Sequence, residues 1–173
     1  GTIAGYEAYT VEASWDGGAW AEIDSGATTS FSGTLAAQPT GQGALQARFV
    51  NGAAEVVETV SVAQISVGDV FVIAGQSNAH GAGTNNQTYS HATLTASLFG
   101  NDYLWHPLTD PTDSNTNQVD AVSDDSGAGG SLWVRTAHHL LADTGIPVAV
   151  VPSAKSGTTI INWLPGGDPF DRA

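Results

Sequence analysis

The sequence contains no cysteine and no methionine. Without cysteine there is no disulfide, thiolate zinc site, iron–sulfur cluster or cysteine nucleophile. Redox compartment therefore leaves no mark on the chain. Cations are nearly as scarce. Four Lys or Arg stand against 17 Asp or Glu, for a formal net charge of −13. Nucleic-acid binding rests on neutralising phosphates with Lys and Arg, so that partner class is excluded. An anionic membrane surface repels such a chain too. No apolar run approaches the roughly 20 residues of a membrane span. Gly1 has no basic leader before it, which reads as a mature or trimmed product. Acidity with so few lysines fits a secreted or cell-surface setting.

Apolar residues are not scarce. They make up 41% of 173 residues, enough for a packed core in one medium domain or two small ones. The first part reads as all-β. Tyr9, Val11, Ala13 and Trp15 alternate with polar residues, the period-2 pattern of a half-buried strand. Asp16-Gly17-Gly18 turns the chain, and Ala19 to Ile23 returns. Leu45, Ala47 and Phe49 form a second alternation. Asn51-Gly52 then signals a two-residue hairpin turn into Val56, Val60 and Val62. Short strands at this spacing predict a small Ig-like β-sandwich over residues 1–65.

The pattern changes near Val67. Val70 to Ala74 is apolar on both faces, as in a central parallel strand covered by helices. Leu104 to Pro107 reads as a short strand, and Asp110 to Gly130 as a long polar surface loop. Ser131 to Thr144 is predicted helical, with Ser131 as N-cap and Gly145 closing the end. Ile146 to Val151 is another buried strand. Helix, tight turn and apolar strand make half of a βαβ unit, so residues 66–173 read as α/β. Ligands of open α/β sheets gather at the carboxyl ends of strands. "GQSN" (residues 75–78) and "SGTT" (residues 156–159) both fall at that edge.

Ser77 follows a buried strand directly. There its hydroxyl stands exposed and its N–H lies at a helix N-terminus, where it can stabilise an oxyanion. Gly75 permits close backbone approach, and Gln76 and Asn78 can hold the turn through their side chains. The bland reading is that Ser77 only caps a helix.

"GDVFVIAGQSNAHG" resembles the nucleophile block of the SGNH/GDSL hydrolase superfamily, in the form typical of its sialate O-acetylesterase and acetylxylan esterase branch. "GGSLWVRTAHHLL" resembles that branch's second block. "VAVVPSAKSGTTIINW" resembles the next, with Ser156 in place of a glycine. The three blocks cover roughly residues 67–165. The resemblance implies a flavodoxin-like α/β/α fold, preceded by a β-sandwich module. It implies Ser77 as nucleophile, with an oxyanion hole from the N–H groups of Ser77 and Gly130. Gly129-Gly130 reads equally as a hinge before the helix. Ser156, Gly157 and Thr158 would bound the substrate pocket. Trp163 would lie near it, or simply belong to the core. The implied substrate is an acylated carbohydrate, and no cofactor or metal is implied.

A serine hydroxyl needs a base to become a nucleophile. In the family that base is a histidine in a late Asp-x-x-His block, which does not occur by Ala173. His80, His91, His106, His138 and His139 are poorly placed to substitute, and they lack zinc-site spacing. The expectation is therefore an amino-terminal portion of an esterase whose catalytic His and Asp lie on a companion C-terminal polypeptide. The labile Asp168-Pro169 bond in the tail "GGDPFDRA" would be a site of cutting. The alternative is a non-catalytic glycan-binding or surface-assembly module, with Trp15, Trp20 and Trp105 as candidate sugar-stacking rings.

Overall fold

The structure is a computed structural model that describes residues 8–27, 29–120 and 129–167. The tail containing Asp168-Pro169 lies outside these residues. The chain divides into two compact units, Gly1–Val67 and Gly68–Ala173.

The first unit is built on one four-stranded antiparallel sheet. Its strands are β1 (Tyr9–Trp15), β2 (Ala21–Ala27), β3 (Gly41–Val50) and β4 (Val56–Val67), in the order β2-β1-β3-β4. The alternation read in the sequence is real: Tyr9, Val11, Ala13 and Trp15 are all buried. Tyr9, Val11, Ala27 and Phe49 form the core, with Phe31 edge-on to Phe49 at 5.5 Å. On the other face Glu12 sits opposite Arg48, whose guanidinium bonds the carboxylate at 2.5 Å and also lies over Trp20. A second sheet completing the expected sandwich is not among the described residues.

The Asn51-Gly52 turn differs from expectation. Val50 pairs with Val56, so residues 51–55 form a longer link in place of a two-residue turn. Asn51 is the reason. Its Oδ1 accepts the N–H groups of Ala53 and Glu55, and its own N–H donates to the Glu55 carbonyl. A side chain that closes its own turn competes with the tight hairpin.

The second unit carries a mixed sheet of β5 (Asp69–Ile73), β6 (Ser97–Phe99), β7 (Trp105–Pro107) and β8 (Val148–Pro152). The order is β5-β8-β6-β7, with β5 and β6 parallel to β8 and β7 antiparallel to β6. Among the described residues two α-helices accompany it, α1 (Ser77–His80) and α2 (Trp133–Thr144), with a short 3-10 turn at Ile160–Trp163. Val134, Ala137 and Leu141 of α2 meet Ile73, Leu98, Val148 and Val150 of the sheet in one core. Helical spacing places those three side chains on one face. Gly145 closes α2 as expected, at φ +68° with its N–H on the Leu141 carbonyl. The N-cap position is Leu132, and Ser131 contributes through its hydroxyl, which accepts the Trp133 N–H.

Two expectations are corrected here. β5 is an edge strand among the described residues, and Val70, Phe71 and Val72 are exposed. Among the described residues no strand pairs with its outer edge. The stretch after Asp110 is not purely surface, because Asp110, Thr112 and Asp113 are buried.

Candidate active site

β5 brings the chain to Gly75 at the sheet's carboxyl edge. Gly75 has φ +155°, and a Cβ there would come within 2.8 Å of the Ala79 Cβ. Conformation and close approach together demand glycine. Gln76 is extended and Ser77 opens α1. Ser77 is half-buried rather than enclosed by the core. Its N–H and that of Asn78 have no acceptor among the described residues, as first-turn helix donors have none within the helix. Gln76 and Asn78 are exposed, and neither side chain makes a hydrogen bond among the described residues. Backbone bonds hold the turn instead: His80 N–H donates to the Gln76 carbonyl and Gly81 N–H to that of Ser77.

The segment after β8 runs alongside this turn. Ser153 N–H donates to the Ile73 carbonyl at 2.8 Å, and Lys155 N–H to the Gly75 carbonyl at 2.9 Å. Ser156, Gly157 and Thr158 follow immediately. Thr158 donates its hydroxyl to the Lys155 carbonyl and accepts the indole N–H of half-buried Trp163 at 3.0 Å. Trp163 thus braces the loop, and "SGTT" is tethered beside "GQSN".

The Gly129-Gly130 pair joins from a third side. Gly129 N–H donates to the Gly81 carbonyl, and Gly83 and Gly130 exchange two backbone bonds at 2.9 and 3.0 Å. A Cβ on Gly130 would lie 1.9 Å from the Asn85 carbonyl oxygen. The pair is pinned and not a free hinge. The Gly130 N–H, expected as an oxyanion donor, is spent on Gly83. Trp133 completes the link by donating its indole N–H to the Ala79 carbonyl.

Two carboxylates that sequence reasoning passed over hold these loops. Asp110 Oδ1 accepts the Ser131 N–H at 3.0 Å and Oδ2 the Gln87 N–H at 2.9 Å. Asp113, fully buried, accepts Asn101 Nδ2 at 2.8 Å and the Ala154 N–H at 3.1 Å. Their partners are mostly backbone amides, which carry no sequence signature.

No described histidine hydrogen-bonds Ser77. His91 Nδ1 accepts the N–H groups of Thr93 and Leu94. His106 sits 3.0 Å from Asp102, and its hydrogen bond holds that carboxyl below the usual aspartate range. His80 is buried, while His138 and His139 are exposed on α2. Among the sugar-stacking candidates, Trp15 is buried in its sheet and Trp105 is 59% exposed.

Residues 67–173 match the family model described as carbohydrate esterase, sialic acid-specific acetylesterase. The chain belongs to the sialic acid-specific acetylesterase family of carbohydrate esterases. Solved structures similar to the chain include two from different organisms. A protein from Arabidopsis thaliana is 19% identical, with a TM-score of 0.43 over 60% of this chain and 47% of that one. A carbohydrate acetylesterase from Xanthomonas citri is 18% identical, with a TM-score of 0.34 over 92% of this chain and 37% of that one. The chain thus spans less than half the length of either. No curated protein matches it significantly.

Proposed function

We propose that Ser77 is the nucleophile of a serine esterase that removes acyl groups, chiefly acetyl, from carbohydrate hydroxyls. One observation carries the reading. At the end of β5 a half-buried serine opens a helix with its own N–H and the next one unbonded, beside the tethered loop of Ser156 to Thr158. Free amide hydrogens at that point suit the negative oxygen of a tetrahedral intermediate. Ser77 attacks the ester carbonyl, its N–H holds the oxyanion, the sugar hydroxyl leaves, and water releases the acyl-enzyme. Gly130 frames the site from the α2 side. Its N–H serves the oxyanion only if it leaves Gly83. No described histidine bonds Ser77, so the base is assigned to polypeptide beyond the described residues. The first unit is the accessory module of a flavodoxin-like hydrolase domain, and secretion or surface display fits the acylated-glycan substrate.

The test is acetate release from 4-nitrophenyl acetate and from an O-acetylated sugar by the natural protein. Ser77→Ala is expected to lower kcat by at least ~1,000-fold, as for nucleophile loss in other serine hydrolases. Equal rates would remove Ser77 from the chemistry. A second reading, a non-catalytic glycan-binding or surface-assembly module, is favoured by the Gly130 N–H being engaged. It expects sugar binding without turnover.

A further inference from the structure

The ladder beside the serine turn runs on past the end of one of its strands. β8 pairs in parallel with β5 as far as Pro152 and Ile73. The pairing then continues, because the Ser153 and Lys155 N–H groups donate to the Ile73 and Gly75 carbonyls at 2.8 and 2.9 Å. Successive N–H groups of an extended chain point to opposite sides. The Ala154 N–H therefore faces away from β5, toward β6.

β6 does not meet it. β6 pairs with β8 at Ser97 and Leu98, opposite Ala149 and Val150. Carried on, that register would set Asp102 against Ala154. Asp102 already lies in the turn closed by the Gly100 N–H on the Leu104 carbonyl. A side chain takes the vacated rung. Asp113 Oδ2 accepts the Ala154 N–H at 3.1 Å, and Oδ1 accepts Asn101 Nδ2 at 2.8 Å, two residues past the end of β6. Asn101 Nδ2 also donates to the Ser114 carbonyl at 2.9 Å. Asp113 and Ala154 are both at 0% exposure, so bulk water does not serve that N–H.

Gly75 stands two residues before Ser77. A shift at Ala154 thus reaches the serine turn through one peptide and one hydrogen bond, Lys155 N–H to the Gly75 carbonyl. Coupling through such a contiguous chain of bonds needs no contact with the reacting group.

We propose that Asp113 is a positioning residue for Ser77. By standing in for the absent β6 rung, its carboxylate fixes Lys155 against Gly75 and so sets how the turn presents the serine hydroxyl. The proposal rests on the reading of Ser77 as nucleophile. Asp113 acts through Ala154, Lys155 and Gly75, not on the substrate.

Two readouts on the natural protein test it, each taken where circular dichroism shows the variant folded. The first is the second-order rate constant for Ser77 labelling by a fluorophosphonate. Loss of folded protein alone lowers the amount labelled and not this constant. Asp113→Ala is expected to lower it about 10- to 100-fold, the cost of a small misplacement of a reacting group. Asp113→Asn is expected to recover most of the rate. Its oxygen stays on the Ala154 N–H, while the Asn101 amide flips to meet the new NH2. Leu141→Ala, a cavity in the α2 core of the same unit, is expected to stay within about twofold of wild type. The second readout is amide exchange at Lys155, which should speed up at least about tenfold in Asp113→Ala relative to Val150 in β8. A labelling rate within about threefold of wild type in Asp113→Ala, an equal loss in Leu141→Ala, or unchanged Lys155 exchange would each overturn the proposal. If wild-type Ser77 takes no label while Lys155 exchange still responds to Asp113, the nucleophile reading falls and Asp113 is structural only.

Discussion

Removing one carboxylate should loosen the whole edge of the second unit. Asp110 is only 7% exposed, and its two oxygens each satisfy a backbone N–H, on Ser131 and on Gln87. Asp110→Ala deletes both acceptors and leaves two donors at a partly buried junction. A hydrogen bond to a charged group is worth about 1.5–3 kcal/mol, so the gross loss is about 3–6 kcal/mol. Relief of carboxylate desolvation and entry of water return part of it, leaving about 2–4 kcal/mol. For a unit of this size that is a Tm drop of about 10–20 °C. Asn should rescue little, because its amide NH2 would face one of the two N–H groups. The assay is thermal unfolding by circular dichroism, with amide hydrogen exchange at Ser131 and Gln87. Exchange at those two amides should speed up ahead of the β8 amides. A Tm within about 3 °C of wild type, or unchanged protection at both amides, would refute the argument.

Other outcomes follow from the same geometry. Asp113→Ala strips acceptors from Asn101 and the Ala154 N–H in a fully buried position and should cost about 3 kcal/mol, read from urea midpoints. Burial raises the Tyr89 phenol above its ordinary value, so the native state keeps that proton as pH rises past about 10. Stability on this account is intact below that pH and falls above it; Tyr89→Phe should flatten the alkaline limb of the stability profile, and an unchanged limb would contradict the burial of that phenol. The hydrogen bond from His106 lowers the Asp102 carboxyl, so its contribution is present above the unfolded value near 4 and is lost as pH falls through the depressed native value. Asp102→Asn should flatten the acid limb of the stability profile, and an unchanged limb would contradict the pairing.

Much of the fold was legible where side chains record their surroundings. The alternation through β1 marked its buried face, and Gly145 marked the end of α2, because burial and left-handed backbone both restrict residue choice. Legibility failed where hydrogen bonding decided the outcome. Asn51-Gly52 has the letters of a tight hairpin, yet the Asn51 side chain closes a longer loop. Val70 to Val72 read as interior because they are apolar, while neighbours, not composition, determine whether a strand is central. The site divides in the same way. Gly75 and Ser77 stand out at a strand end. Nothing in the letters reveals that the Gly130 N–H is taken by Gly83, or that Asp110 and Asp113 differ from other aspartates in a polar stretch. Backbone amides are their partners, and every residue but proline offers one.

The central claim is that the Ser77 hydroxyl is the reacting group. Labelling the natural protein with a fluorophosphonate, followed by peptide mass spectrometry, tests it most directly. The account expects one adduct, on the peptide containing Gly75-Gln76-Ser77-Asn78, absent from Ser77→Ala. An active protein whose adduct lies on another residue, or that hydrolyses acetyl esters with Ser77 unlabelled, would contradict it.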